Sequence, residues 1–292
     1  MEEAIPYKIS VLITCYNRRE KTLSFLESLV KQDYFGKLNI DIYLLDDASN
    51  DGTSAAVNAK YPAVNIIKGT GNLFWAGGMR TLWKHVAEQK DYDLFLLFND
   101  DIVLFDGALE NLIKNYTALN KNGVILIGST QSPESNKITY GGILFNNIKH
   151  SNYYRAMPDD TQFVPCQSGN ANVLLIDKYT VERIGIFSDA YTHYLADFDY
   201  VLTAYKNGIE VVVAPGYYAY CEYDHGVNWL SGKHPLKKRI AYLYDVKGLA
   251  YKEYLYYIKK HFPSDYLVSF LKLWTKTLFP IIWDKFKVKE NY

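Results

Sequence analysis

Leu94-Phe95-Leu96-Leu97-Phe98, followed at once by Asn99-Asp100-Asp101, is the stretch on which the fold turns. A continuous apolar run of strand length is the pattern of a strand buried on both faces, with helices covering its sheet on either side. The residues before it supply that setting. Lys8–Thr14 (KISVLIT) reads as a strand, and Glu20–Lys31 as an amphipathic helix with Leu23, Leu26, Leu29 and Val30 on one face. Ile40–Leu45 reads as a second strand. Asp51-Gly52-Thr53 opens a helix to about Lys60, Ala63–Ile67 is a third strand, and Met79–Gln89 is helical. This alternation predicts an α/β fold with a mixed, mainly parallel sheet and right-handed crossovers. Ligands in such folds sit beyond the carboxyl ends of the strands. The polar clusters of this sequence fall at those ends.

After about residue 120 the rhythm changes. Val124–Gly128 reads as a strand, Ile138–Lys149 with its Gly141-Gly142 pair as a hairpin, and Val173–Ile176 as a strand. Ala196–Lys206 is a helix and Ile209–Ala214 a strand. From about Lys233 the chain turns aromatic and basic, through Tyr254–Lys260 and Tyr266–Trp283, with Pro280 interrupting the second run. This divides the chain into an α/β domain over 1–230 and a helical tail over 231–292. Such a tail reads two ways, as lying in the headgroup region of an anionic membrane or as packed on the domain.

Composition bounds the function. Of 292 residues, 49% are hydrophobic and 22% charged, enough for a large core and unlike a disordered chain. Thirty-two basic residues balance 32 acidic ones, which argues against nucleic acid as the main partner. The 27 tyrosines suit carbohydrate or interfacial surfaces as readily as they reflect a coding bias. Cys15, Cys166 and Cys221 are isolated and odd in number, so neither a disulfide framework nor a zinc site is expected, and a reducing cytoplasm is the natural setting. The first residues have no signal-peptide pattern, and no run of about 18 apolar residues reads as a membrane span.

Asp100 and Asp101 at a strand exit repel one another and are costly to desolvate unless a cation sits between them. Hard cations such as Mg²⁺ or Mn²⁺ take oxygen ligands and share them with substrate phosphates. A solvated turn would carry the same residues. Asp46 and Asp47 end the second strand, where a carboxylate reaches a ribose or a base edge, while Ser49 to Thr53 also serve as turn and capping residues. Tyr16 and Arg18 suit stacking on a base and pairing with phosphate. In Gly69–Arg80, the Gly77-Gly78 pair ahead of a helix allows close approach of a ligand to the helix N-terminus. Neither GxGxxG nor GxxxxGK[ST] is present in those places, so dinucleotide and P-loop readings are poor.

Taken in order, TCYNR (14–18), LLDDASNDGT (44–53), NLFWAGGMR (72–80) and FNDD (98–101) resemble the family-2 glycosyltransferases of Rossmann-like GT-A fold. The resemblance is greatest to their bacterial rhamnosyltransferase-like and galactofuranosyltransferase-like branch, and spans roughly residues 8 to 230. It implies an inverting, metal-dependent enzyme with a nucleoside-diphosphate sugar as donor, dTDP-rhamnose or a UDP-sugar. Its acceptor would be a hydroxyl of a bacterial polysaccharide or lipid-linked glycan, met in the cytoplasm or at the inner face of the plasma membrane. On that resemblance Thr14, Tyr16, Asn17, Arg18, Asp46, Asp47, Asn72, Trp75, Gly77 and Gly78 hold the nucleotide sugar, over a donor half of about 8–120. Asp101 ligates Mg²⁺ or Mn²⁺ and Asp100 lies beside the sugar. Asn99 replaces the usual first aspartate of the motif. Over an acceptor half of about 121–230, the segment Tyr194–Tyr200 (YLADFDY) makes Asp197 the catalytic base, with Ala196 where glutamate is common. Tyr223-Asp224-His225 offers His225 as a second metal ligand. The rivals are a non-catalytic relative that only binds nucleotide sugar, and a sugar nucleotidyltransferase. The first fits poorly with Asp101, Asp197 and His225 together, and the second with a loop after strand one that has no glycine.

Overall fold

Alternate side chains of the first strand enter two different cores. Ile9, Val11 and Ile13 join one and Leu12 the other, the period-two signature of a strand covered on both faces. The computed structural model describes residues 7–223 and 228–286. Its elements begin β1 (Lys8–Cys15), α1 (Arg19–Val30), β2 (Asn39–Asp46), α2 (Thr53–Lys60), β3 (Asn65–Lys68), α3 (Phe74–Gln89), β4 (Leu94–Asn99), β5 (Val103–Leu104) and α4 (Ala108–Leu119). There follow β6 (Val124–Gln131), β7 (Ile138–Tyr140), β8 (Gly142–Phe145), β9 (Tyr153–Arg155), β10 (Val164–Pro165), β11 (Ser168–Gly169), β12 (Val173–Asp177), α5 (Lys178–Ile184), α6 (Ala196–Lys206) and β13 (Glu210–Tyr220). The tail is α7 (Leu236–Tyr244), α8 (Tyr251–His261), α9 (Tyr266–Leu278) and α10 (Ile281–Phe286).

The main sheet runs β10-β13-β6-β12-β4-β1-β2-β3, with β5 beside β13 and β7 beside β6. Strands β3, β2, β1 and β4 are parallel, as the alternating pattern predicts. Strand β12 is antiparallel to both β4 and β6, whereas β13 is parallel to β6. This is the mixed, mainly parallel α/β sheet expected. In β4, Leu94, Leu96 and Phe98 pack with Phe25, Leu29 and Leu112, while Phe95 and Leu97 face Trp83 and Leu202. Trp83 is fully buried and rests on Phe95, Phe187 and Tyr200; truncating such a ring costs roughly 3–5 kcal/mol.

Two expectations are corrected. Residues 138–149 do not form a hairpin of their own: β7 turns back on β6, and β8 crosses to a separate sheet ordered β11-β8-β9. Gly142 makes that crossing, because a Cβ there would lie 2.3 Å from Val213 Cγ2. Helix α3 starts at Phe74, five residues before the periodic pattern, so Gly77 and Gly78 lie inside it rather than ahead of it. Their close approach is to the sheet: a Cβ on Gly78 would meet Thr14 Oγ1 at 2.6 Å. Leu243, Leu255 and Leu273 give the tail helices a small core, and Tyr254 packs against both it and the body of the molecule.

Candidate active site

Parallel register brings three strand ends level, with Thr14 of β1 opposite Asn99 of β4 and Cys15 opposite Asp46 of β2. The loops that leave them are laced together. Ser49 Oγ accepts from Asn17 N at 2.8 Å, and Asn17 Oδ1 accepts from Asn50 N at 2.8 Å, with Asn17 at φ 51°. Asp46 turns away from the open edge: its oxygens accept from Ser49 N, Ser54 Oγ and the Lys68 ammonium. Asp47 acts as a latch. It accepts from Gly71 N at 2.7 Å, Leu73 N at 2.8 Å and Phe74 N at 3.2 Å, and so shapes the loop into α3. The Thr192 carbonyl accepts from Ala76 N and Gly77 N. Several of the N–H groups expected to greet a phosphate are thereby satisfied within the protein. Asn72 is exposed on that loop and outside the cleft wall.

Beyond the strand ends lies a cleft of about 1110 Å³, lined on this side by Thr14, Tyr16, Arg18, Asp47, Trp75 and Asn99 to Asp101. Asn99 is held by Trp75, whose indole N–H donates to its Oδ1 at 2.9 Å. Asp100 is buried and accepts from Thr22 Oγ1. Burial pushes its carboxyl up to about 7, with Asp101 adding to the rise and Arg18 opposing it. The Arg18 guanidinium lies across both carboxylates, 2.6 Å from Asp101 and 3.3 Å from Asp100. Two adjacent carboxylates fit a hard divalent cation, which completes its shell with water and phosphate oxygens. Among the described residues no three His, Cys, Asp or Glu side chains gather to hold a metal by themselves. His225 lies outside the described residues.

On the far wall, Leu195 in the left-handed region (φ 68°) turns the chain into α6 and sets Asp197 in its first turn. Asp197 accepts from Ala171 N at 3.1 Å and Phe198 N at 2.9 Å. Its surroundings raise its carboxyl to about 6, burial being the cause and hydrogen bonds from the backbone and Asn170 the opposing effect. Asn170 is itself held by Arg155 at 3.0 Å. The loop before Asp197 is fixed by Arg80, whose Nη1 donates to the carbonyls of Ser188 and Tyr191.

Sequence reasoning missed what the tail contributes. Tyr242, Lys247, Tyr254, Lys272 and Lys276 line the cleft, and Lys247 stands 5.6 Å over the Phe74 ring. Asp199 is buried away from the cleft and receives hydrogen bonds at 2.8 Å from Tyr191, Lys260 and His261, which ties α6 to α8. The signal was present in Lys260-His261, although nothing local assigns those residues a partner 61 and 62 positions earlier.

Known proteins bear on this geometry. No curated protein matches the sequence. Solved structures of S. aureus TarS 1–349 are similar, alone (TM-score 0.53, 17% identity), with UDP (0.55, 17%) and with UDP-GlcNAc (0.52, 16%). These alignments cover 73%, 73% and 75% of this chain and 60% of each TarS fragment, so the chain spans less than two thirds of the structures it resembles. At such identity the likeness speaks for the fold. The pattern of Glycosyl transferase family 2 matches residues 10–171, more than half of the chain. Because that span runs from β1 through the strands that carry Asp47, Asp100 and Asp101, the chain belongs to glycosyl transferase family 2.

Proposed function

We propose that this glycosyltransferase works with inversion and with a divalent cation, moving a sugar from a nucleoside diphosphate to a glycan hydroxyl. The observation that carries the reading is the pairing across one cleft of a carboxylate pair, Asp100-Asp101, with a lone carboxylate of raised proton affinity, Asp197. The donor would occupy the side built by residues of about 8–120 and the acceptor the side built by about 121–230, with 231–292 as a helical tail. Tyr16, exposed at the end of β1, offers a ring to the base. Asp47 shapes the wall that faces it. Asp101, with Asp100 beside it and His225 as a further ligand, would hold Mg²⁺ or Mn²⁺, which when bound neutralises charge on the departing diphosphate.

Asp197 accepts the proton of the acceptor hydroxyl as that oxygen bonds to the anomeric carbon and the bond to the diphosphate breaks. A carboxyl near 6 is ionised at neutral pH yet more basic than an ordinary aspartate, which suits a general base. Backbone N–H groups fix it from two directions, so its reach is set before the acceptor arrives. Arg18 adds positive charge on the diphosphate side.

The donor is dTDP-rhamnose or a UDP-sugar. The TarS fragments solved with UDP and UDP-GlcNAc favour the second. The acceptor is a bacterial polysaccharide or lipid-linked glycan, met at the inner face of the plasma membrane. A donor screen with Mn²⁺ or Mg²⁺, reading nucleoside-diphosphate release with each sugar nucleotide, tests the proposal. Release from one donor that stops in excess EDTA is expected. Turnover that is untouched by EDTA would overturn the metal-dependent reading.

A further inference from the structure

Helix α9 has two different sides. Ser269, Leu273 and Lys276 turn inward, and Leu273 packs with Leu243 and Leu255. Leu267, Leu271 and Leu278 fall on one stripe of the opposite side, with Val268 and Lys272 at its margin. Leu267 and Val268 are 65% and 66% exposed, and past the helix Phe279, Ile281 and Ile282 are exposed as well. Seven large apolar side chains thus stand in water over sixteen residues. Single exposed apolar residues are ordinary, whereas a contiguous set marks an interaction surface.

Charge identifies the occupant. Residues 231–292 hold 13 Lys and Arg against 5 Asp and Glu, a surplus of eight in a chain whose total is zero. Lys237, Lys238, Lys272 and Lys285 are exposed on the tail helices. An apolar face on tail helices that also carry exposed lysines complements an anionic lipid surface. No helix among the described residues is long and apolar enough to cross a membrane, so the contact lies in the membrane plane. Val268 and Lys272 belong both to this exposed side and to the cleft wall, which makes the surface continuous with the cleft. We infer that α9 and α10 dock into the headgroup region of an anionic bilayer and hold the cleft mouth beside it. That the docked cleft transfers sugar rests on the function proposed above; the docking does not.

The test is flotation of the full-length protein with vesicles that contain phosphatidylglycerol and with vesicles of phosphatidylcholine alone, at low and high salt. Wild-type protein should float with the anionic vesicles, less so at high salt, and stay behind with the neutral ones. Leu271→Glu on α9 and Ile282→Glu on α10, neither of which lines the cleft, should each weaken partition by about tenfold or more. Their melting temperatures should match wild type, and Leu271→Met should restore binding. Equal flotation with both lipids, absence of flotation, or unaltered flotation by both glutamate variants would overturn the inference. So would a wild-type oligomer that either glutamate dissolves, since the face would then join two copies of this chain. Flotation uses neither donor nor acceptor, so a protein that fails the donor screen can still dock, and an active one can fail to.

Discussion

Asp197 and Asp199 share one helical turn, yet their surroundings drive their proton affinities in opposite directions. Burial lifts Asp197 to about 6. Asp199 is pulled below its usual range, since hydrogen bonds and charge from His261 and Lys260 outweigh its burial. A base at Asp197 must be ionised to act, so kcat/KM should be flat above about pH 6 and fall about tenfold per unit below it. Asp197→Asn keeps shape and removes the proton acceptor; transfer should drop about 10²–10⁴-fold with donor affinity by calorimetry nearly unchanged. Wild-type turnover in that variant would move the base elsewhere. The placement of the two carboxylates was legible, because the order of motifs pointed to Asp197 and the two-residue offset turned Asp199 from the cleft. What Asp199 does instead was not, since its partners lie in another element.

Elements are attached to one another through such residues. Asp199 anchors α8 to α6, and with it the tail wall of the cleft. Asp199→Asn removes the charge and turns one of the two acceptor oxygens into an NH₂ donor, so it should destabilise by about 2–3 kcal/mol in urea denaturation. The sign with pH follows from the lowered affinity: this contribution is intact above the usual 3.8 and is lost as pH falls below it. A second attachment is α3 on β1. Gly78→Ala would press a methyl on the buried Thr14, and about 1–3 kcal/mol of stability should be lost. A variant as stable as wild type would show that the helix can move off the sheet. The start of α3 eluded sequence reasoning for the same reason. Two glycines and two aromatics are poor helix formers, and the helix begins there because Asp47 and Thr192, far off in sequence, accept its first N–H groups.

At the scale of the molecule, three loops at the strand ends and three tail helices, α7 to α9, meet over one cleft, and a ligand in it would tie them together. The β1–β4 scaffold was readable from period and strand ends, because those signals are local. The tail's place as a cleft wall was not, because an aromatic, basic helix looks alike whether it covers protein or lipid; here α9 turns one side to the cleft and leaves another exposed. A ligand that binds only the folded chain stabilises it by about 2.7 kcal/mol at a hundred times its Kd. For a chain of this size that is a rise in melting temperature of about 4–5 °C. UDP with Mn²⁺ should therefore raise the melting temperature by that amount. Asp101→Ala should cut the rise to what UDP gives with EDTA, because on the proposed function it removes the carboxylate that would share the cation. Asp197→Asn should keep the full rise, since the proposed function puts it on the acceptor side. Equal shifts in wild type and Asp101→Ala, with Mn²⁺ present, would remove the cation from the donor site. Loss of the shift in Asp197→Asn would instead place that carboxylate on the donor and leave the acceptor hydroxyl without its base.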